Sequence, residues 1–359
     1  MKVLIGLSGG VDSAVAAYLL KKQGHNVIGV TMSIWDKSYT INNSYKINNS
    51  CFGPEEDDID SANKIAKFLK IPLYILNNSK RYKKIVIKNF IDEYINGRTP
   101  NPCILCNTYV KFKIMEIMTK KLGINFDKFA TGHYANIKFN KHLGIYQLLK
   151  SVDKNKDQTY FLYRLSQKIL SKTIFPIGKY TKFQVRDIAK KINLPVADKH
   201  DSQNFYCGNY RDILNLKPNI GDLTDKYGKI LGKHQGIWNY TIGTRKGLGL
   251  GGMKKALYVV KILTDKNIVI VGEKKDLYSS SLIADKIFWG YTILKNAIKV
   301  TAKIRQQHKY AKAIINKINK NEVKVEFYKP QISITPGQSI VFYKNNAVIG
   351  GGIIKNNLY

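Results

Sequence analysis

The sequence predicts an α/β chain: a doubly wound parallel-sheet domain over residues 1–216, a small β-rich central domain over 217–279 and a C-terminal β-barrel over 280–359. Three observations predict it. Short aliphatic runs alternate with helical periods between Val3 and Thr131, the pattern of a parallel sheet covered on both faces. From about Lys217 the glycine-rich turns Tyr227-Gly228-Lys229 and Gly243 to Gly252 separate short strands. From about Ser280 the chain alternates polar and apolar residues, with strands over Ile298 to Ile304, Val323 to Tyr328 and Ser339 to Tyr343. Turns fall at Pro336-Gly337 and Asn345-Asn346.

Val3-Leu4-Ile5-Gly6-Leu7 reads as a buried strand, Ser8 to Asp12 as a turn, and Ala14, Val15, Ala16, Leu19 and Leu20 as the inner face of a helix. Gly24 stops that helix, and Asn26 to Met32 is a second strand. Residues 37–50 are Ser, Asn, Tyr and Lys without a period, which predicts a loop. The acidic cluster Glu55 to Asp58 with Asp60 opens a helix through Leu69, where negative charge suits the helix dipole. Ile71 to Leu76 is a third strand and Arg81 to Tyr94 a basic helix. A further helix over Asn107 to Leu122 carries Val110, Ile114, Ile117, Met118 and Leu122 on one face, and Phe126 to Thr131 is a fourth strand. Ligands of such sheets bind at the carboxyl ends of the strands. Ser8-Gly9-Gly10 and Thr131-Gly132-His133 both lie there.

The net charge of +34 and pI near 9.8 point to a polyanionic partner, RNA or DNA before a membrane surface. Only seven of the 59 basic residues are Arg, and Asn and Ile are abundant too, so part of that charge reflects an AT-rich coding bias. No run approaches the ~18 apolar residues of a membrane span, and the strand at Val3 is too short for a signal peptide. The expected compartment is the cytoplasm, with no membrane partner.

A glycine turn between strand and helix points backbone N–H groups and the positive helix end at one spot, which favours phosphate. Gly9 and Gly10 let the backbone touch the ligand. The turn lacks the Gly-Lys-Ser/Thr ending that places a lysine on a γ-phosphate, so it suits a pyrophosphate that leaves.

Four cysteines in a chain of this composition suggest reactive thiols or a metal site before disulfides. Cys103 and Cys106 stand three residues apart behind Pro100 and Pro102. A position near a helix N-terminus would lower the pKa of Cys106 and favour its thiolate. Cys207 follows the polar stretch Asp201-Ser202-Gln203, unlike a packed core cysteine. From spacing alone, a redox pair, a metal pair and a nucleophile stay open.

Ser8-Gly9-Gly10-Val11-Asp12-Ser13 resembles the PP-loop of the ATP pyrophosphatases, which split ATP into AMP and pyrophosphate while adenylating a carbonyl oxygen. Five further stretches occur in one family's order. They are Gly97 to Cys103 with Cys106-Asn107, Ala130 to Ala135, Lys156 to Leu162, Asp201-Ser202-Gln203 with Cys207, and Tyr240 to Gly243 with Arg245 to Gly249. Together they resemble the tRNA-specific 2-thiouridylases, which make 2-thiouridine at the wobble position of tRNA. The resemblance implies an ATP site, with Mg²⁺, formed by Gly6, Leu7, Ser8, Gly9, Gly10, Val11, Asp12, Ser13, Met32 and Gly132. It implies adenylation of uracil O2, a persulfide on Cys207 supplied by a cysteine desulfurase or sulfur-relay protein, and Cys106 as partner nucleophile. Cys106 would either release sulfide from that persulfide or close a disulfide with Cys207. Asn101, Pro102 and Cys103 would line the target base. His133, Lys156, Asp157, Gln158, Arg305, Gln306 and Gln338 would touch tRNA, with the Lys, Glu and Gln acceptors as the implied substrates.

The chain departs from the family pattern at four places. Cys103 replaces an aspartate, Thr244 a glutamine, Gly208 an apolar residue and Gln306 an aromatic. The extra thiol raises an alternative: Cys103, Cys106 and Cys207 holding a [4Fe–4S] cluster with one open iron for sulfide. Two other readings remain: another PP-loop adenylating enzyme, such as a different tRNA sulfurtransferase or a ligase with a nitrogen nucleophile, and a basic RNA-binding protein with a vestigial nucleotide site.

Overall fold

The computed structural model describes residues 1–38, 50–201, 204–206, 208–253, 255–291 and 297–358. The chain forms two compact units. One comprises Met1–Val86, Cys103–Asp212 and Asn346–Val348, the other Ile87–Pro102, Ile213–Asn345 and Ile349–Tyr359.

The first unit is built on strand β1 (Lys2–Gly6), helix α1 (Val11–Lys22), β2 (Asn26–Ser33), β3 (Ser50–Phe52), α2 (Glu56–Leu69), β4 (Leu73–Asn77) and β5 (Lys128–Thr131). The hairpin β6 (Ala135–Asn140) and β7 (Ile145–Lys150), then β8 (Thr173–Ile174), α3 (Lys182–Lys191) and β9 (Asn204–Tyr206), complete it. Five strands form a parallel sheet in the order β4-β2-β1-β5-β8. The expected parallel sheet is therefore present. Its central strand is flanked by β2 on one side and β5 on the other, and Gly6 stands beside both Val30 and Thr131. Chain order reverses at that point, which opens a crevice beyond the carboxyl ends.

Val3, Ile5, Ala14, Val15, Ala17 and Leu20 are almost wholly buried, and α2 adds Ala62, Ile65 and Leu69 to the same core. Each fully buried Val, Leu or Ile contributes about 2 kcal/mol. On the other side of α1, α3 inserts Val185 and Ala189, so both helices share one rigid core.

Two expected helices differ from the sequence reading. The run Arg81 to Tyr94 is α-helical over Ser79–Tyr82, π-helical over Lys83–Ile87 and α-helical over Lys88–Ile95. The run Asn107 to Leu122 begins earlier, as one α-turn over Pro102–Leu105, becomes π-helical over Cys106–Ile114 and returns to α over Met115–Lys121. A π-helix bonds i to i+5 and turns less per residue than an α-helix. The predicted apolar face therefore rotates: Val110 and Ile114 are buried, whereas Ile117 and Leu122 are exposed.

The third and fourth strands begin two residues later than expected, at Leu73 and Lys128. Strands β3 and β9 were not expected; they pair in parallel, Ser50 beside Asn204 and Phe52 beside Tyr206. Phe52 stacks on Phe205 with ring centres 5.9 Å apart, aromatic packing that supports a pairing too short to stand alone. Within the expected loop over 37–50, residues 39–49 lie outside the described residues.

In the second unit, β10 (Gly221–Thr224), β11 (Ile230–His234), β12 (Tyr258–Leu263) and β13 (Ile268–Gly272) form a four-stranded sheet in the order β11-β10-β13-β12. Leu223, Val259, Val269 and Val271 face Ile237, Tyr240 and Leu248 in its core. The strands β14 (Tyr278–Trp289), β15 (Ile298–Lys303), β16 (Ala311–Lys317), β17 (Val323–Ile332), β18 (Ser339–Lys344) and β19 (Ala347–Leu358) follow in the order β14-β17-β16-β15-β18-β19. Pairing of β14 with β19, from Ser281 beside Leu358 to Trp289 beside Gly350, closes them into a six-stranded barrel. Closure removes the free sheet edges. Gly337 and Asn345, at the two predicted turns, take positive φ values of 91° and 54°.

Candidate nucleotide and thiol site

The turn after β1 is shaped by contacts that only glycine permits. Gly9 has φ of 72°, and a Cβ there would lie 2.4 Å from the carbonyl oxygen of Asp58. A Cβ on Gly132, just past β5, would lie 2.6 Å from the backbone nitrogen of Ser13. Both contacts bring backbone against backbone and leave no room for a side chain. Ser13 Oγ donates to the carbonyl of Gly10 at 3.0 Å and accepts from the backbone N–H of Ser8 at 3.2 Å, which ties the turn across its base. Gly10 occupies the N-cap position of α1, and no side chain caps that helix. The helix start therefore faces the crevice with its dipole available to an anion. Leu7 donates to the carbonyl of Val30 and Val11 packs into the core, so both are structural members of the loop. Met32 stands half-buried in β2, one residue before its carboxyl end.

An ionic cluster stands on this loop. Asp12 Oδ1 accepts from the Tyr134 hydroxyl at 2.8 Å and from Lys182 Nζ at 2.7 Å. Lys182 Nζ also donates to Asp201 at 2.6 Å, and Asp201 is further bound by Lys156 at 2.9 Å and Arg186 at 3.2 Å. Burial alone would raise the Asp201 pKa, but the bonds from Lys182 and Lys156 hold it below the usual carboxylate range. The acidic cluster of α2 also reaches outward: Glu55 accepts from the backbone N–H of Ile34 at 2.9 Å and from the Ser33 hydroxyl, and Asp58 pairs with Lys199 at 2.7 Å. Lys182 was not singled out in the sequence, because nothing in its own neighbourhood marks a residue 170 positions from the loop it touches.

The thiols follow a different rule from the one expected. Cys106 does not sit at the helix start; the helix begins at Pro102, and Cys106 is the first residue of the π-helical stretch, 8% exposed. Burial pushes its thiol up to about 11, opposed by Lys111 and reinforced by Cys51. The Cys103 thiol is raised too, by burial first and then by Cys51 and Cys106. Lys111 follows Cys106 by five residues, the interval a π-helix brings onto one face. Burial alone would lower the Lys111 pKa, yet the thiols of Cys106, Cys51 and Cys103 raise it. Cys51, on β3, is exposed and was not foreseen as a neighbour of these groups. Cys207, with Ser202 and Gln203, lies outside the described residues. The cluster alternative, which needs Cys207, therefore falls outside the described residues; among the described residues no three His, Cys, Asp or Glu side chains come together as a metal site.

Residues 1–207 match the family model described as the tRNA methyl transferase HUP domain. Residues 213–273 match the tRNA methyl transferase PRC-barrel domain, and 279–354 the aminomethyltransferase beta-barrel domain. The tRNA-specific 2-thiouridylase MnmA of Endomicrobium trichonymphae is 61% identical over 357 residues, 99% of each chain. This chain belongs to the tRNA-specific 2-thiouridylase family. Relatives of the same name from Caldicellulosiruptor saccharolyticus and Clostridium perfringens are 46% and 47% identical, again over 99% of each chain.

The other residues that resemblance to the 2-thiouridylases pointed to occupy varied settings. His133 accepts or donates at Nδ1 to the Thr131 hydroxyl at 2.7 Å and packs between Phe112 and Phe175, with ring centres 6.3 and 6.0 Å away. Burial and then Lys111 press its pKa down to about 3, so the ring is neutral. Asp157 is buried and turned inward, accepting from the backbone N–H groups of Ser151 and Thr159 and from the Thr159 hydroxyl. Gln158 pairs with the backbone of Tyr134 through both its side chain and its N–H. Lys156 alone of these three is exposed, through its pair with Asp201.

In the second unit Gln338 donates its side-chain amide to the carbonyls of Thr99 and Pro100, at 3.0 and 3.1 Å. This fixes the approach to Asn101 and Pro102. Asn101 Oδ1 is buried and accepts no hydrogen bond among the described residues. Arg305 donates to the carbonyls of Ile332 and Ser333, and Gln306 is half-buried beside it. The glycine-rich loop after Arg245 borders a hollow of about 490 Å³ with Arg245 and Lys255 on its wall.

Proposed function

We propose that this chain is an ATP-dependent tRNA-uridine 2-sulfurtransferase acting on the wobble uridine, with the Lys, Glu and Gln tRNAs as substrates. The observation that carries the reading is the uncapped turn Gly9 to Ser13, pressed bare against Asp58 and Gly132 at the switch point of the sheet. That shape suits a triphosphate, accompanied by Mg²⁺, with Met32 and Gly132 beside the nucleotide. The full-length identity to 2-thiouridylases supplies the substrate class.

The chemistry has two stages. Uracil O2 attacks the α-phosphorus of ATP; the O2–P bond forms, the bond to the β-phosphate oxygen breaks, and pyrophosphate leaves with the electron pair while the N3 proton passes to water. A poor leaving oxygen has become AMP. The outer sulfur of a persulfide on Cys207 then attacks C2 and expels AMP. Cys106 thiolate attacks the inner sulfur, forms a Cys106–Cys207 disulfide and leaves the outer sulfur on C2. A dithiol reductant returns both thiols, and a cysteine desulfurase or sulfur-relay protein reloads Cys207. At rest Cys106 is a protonated, buried thiol beside Lys111, protected from oxidation until the reaction needs it.

In this reading residues 1–216 carry the catalysis, 217–279 contact tRNA through the basic loop at Arg245 and Lys246, and 280–359 form a barrel that holds the Asn101 approach through Gln338. The wobble base is unpaired, so it is extracted at little cost. Nucleoside mass spectrometry of unmodified tRNA incubated with enzyme, ATP, Mg²⁺ and a persulfide source tests the reading; 2-thiouridine is expected. Cys106→Ser and Cys207→Ser should abolish it while ATP still binds. Formation of 2-thiouridine that survives both substitutions would overturn the cysteine-persulfide route.

A further inference from the structure

Adenylation leaves a pyrophosphate to be expelled, yet the loop itself contains no lysine. The structure assigns that task to Lys182: we propose that its ammonium group stabilises the negative charge that develops on the departing pyrophosphate. The proposal rests on the adenylating function above and names a catalytic residue for it.

Geometry comes first. Lys182 is the first residue of α3, whose buried face shares the core of α1, so its backbone is fixed with respect to the loop. The backbone is pinned further by a capping box between Thr181 and Gln184 and by the bond from the Lys182 N–H to Asp153 at 2.9 Å. Its side chain is 13% exposed and ends 2.7 Å from Asp12, in the first turn of the helix that heads the phosphate nest. An ammonium group has three N–H bonds. Asp12 and Asp201 take two, and the third makes no hydrogen bond among the described residues.

Lys182, Lys156 and Arg186 meet the carboxylates Asp12 and Asp201, and a third carboxylate, Asp153, accepts from the backbone N–H groups of Lys182 and Lys156. The Lys182 ammonium group stands beside a loop already electropositive from its helix end. In a partly desolvated site, such a fixed cation stabilises developing anionic charge far more than it would in water. The Pα–O bond to the β-phosphate breaks, its electron pair moves onto the β-phosphate oxygen, and the Lys182 ammonium group offers that oxygen a hydrogen bond without transferring its proton.

The test is the sensitivity of the rate to the leaving group. Wild type, Lys182→Gln and Lys182→Arg are compared with ATP, β,γ-difluoromethylene-ATP and the more basic β,γ-methylene-ATP, following release of pyrophosphate or its bisphosphonate analogue in the presence of unmodified tRNA. Lys182→Gln removes the charge while the capping box, the backbone bond to Asp153 and the buried Val185 and Ala189 still hold α3 in place. Its rate with ATP should fall by about 100-fold, and the deficit should widen at least tenfold from the difluoromethylene to the methylene nucleotide. Lys182→Arg keeps the charge and should keep most of the rate and the wild-type sensitivity. A deficit equal for all three nucleotides means a structural clamp and overturns the proposal. Wild-type enzyme that releases no pyrophosphate or analogue with any of them overturns the adenylating function itself, a result separable from the first.

Discussion

The α-carbon of Gly132 packs directly on the backbone of Ser13, so tightly that a single methyl group would stand 2.6 Å from its nitrogen. This contact joins the end of β5 to the start of α1 and sets the width of the crevice between them. Gly132→Ala must therefore displace the phosphate loop, at a cost of about 1–3 kcal/mol. Affinity for ATP should fall at least tenfold and 2-thiouridine formation with it, while the barrel and the central sheet keep their melting transition. Calorimetric titration with a non-hydrolysable nucleotide checks this, and unchanged affinity would show that the two strand ends do not form one site.

Cys106 and Lys111 share a face only because the helix is π-wound between them. With the thiol at about 11, roughly one molecule in ten thousand holds a thiolate at neutral pH, so alkylation of Cys106 in the free enzyme should be slow. Its rate should rise close to tenfold per pH unit up to about pH 11. Lys111→Met removes the opposing cation and should slow alkylation further at every pH, by about tenfold, with Lys111→Arg near wild type. Because the folded pKa lies above the unfolded one, the buried thiol stabilises the fold below the unfolded value, and that stability is lost as pH rises toward 11. Mass-resolved iodoacetamide labelling across pH 7–10 provides the measurement; fast labelling at pH 7 would remove the buried-thiol account.

The parts of this protein that were legible in the sequence are those set by local rules. Gly9 and Gly10 between a strand and a helix announce a phosphate nest, and the turns at Gly337 and Asn345 announce a barrel, since each depends on a few neighbouring residues. Lys182 and Asp12 are 170 positions apart, and only the packing of α3 on α1 brings them together. The π-helical stretch from Cys106 also escaped, because amino-acid propensities discriminate poorly between i+4 and i+5 winding, and a period of 3.6 placed Ile117 and Leu122 on a face they do not occupy. Cys51 was passed over for the same reason as Lys182: β3 meets β9 across some 150 residues of chain.

His133 sits between two phenylalanine rings and stays neutral down to about pH 3. The thiolation rate should consequently show no limb from this imidazole near pH 6.5. Stability should show one instead. The folded pKa lies below the unfolded value of about 6.5, so the stabilisation is complete above 6.5 and declines as pH falls toward 3. His133→Asn should flatten that acid slope in a melting series from pH 7 to 4. An equal slope in both proteins would mean that the ring protonates normally and faces solvent.

Asp157 lies in a motif shared with 2-thiouridylases, and the resemblance placed it against tRNA, yet its carboxylate turns away from solvent toward three donors on Ser151 and Thr159. Removing a buried charged acceptor from such a set takes the carboxylate away from the backbone N–H groups of Ser151 and Thr159, at a cost of about 3 kcal/mol. Asp157→Ala should lower the denaturant midpoint accordingly, whereas Lys156→Ala, which loses only an exposed pair with Asp201, should shift it little. Binding should divide the other way: Lys156→Ala weakens tRNA affinity and reduces its salt dependence by about one ion, as expected for one lost phosphate contact. Folded Asp157→Asn should bind tRNA as wild type does. The motif would then act by shaping the turn that presents Lys156, and a large tRNA-binding defect in stable Asp157→Asn would place the carboxylate in the interface instead.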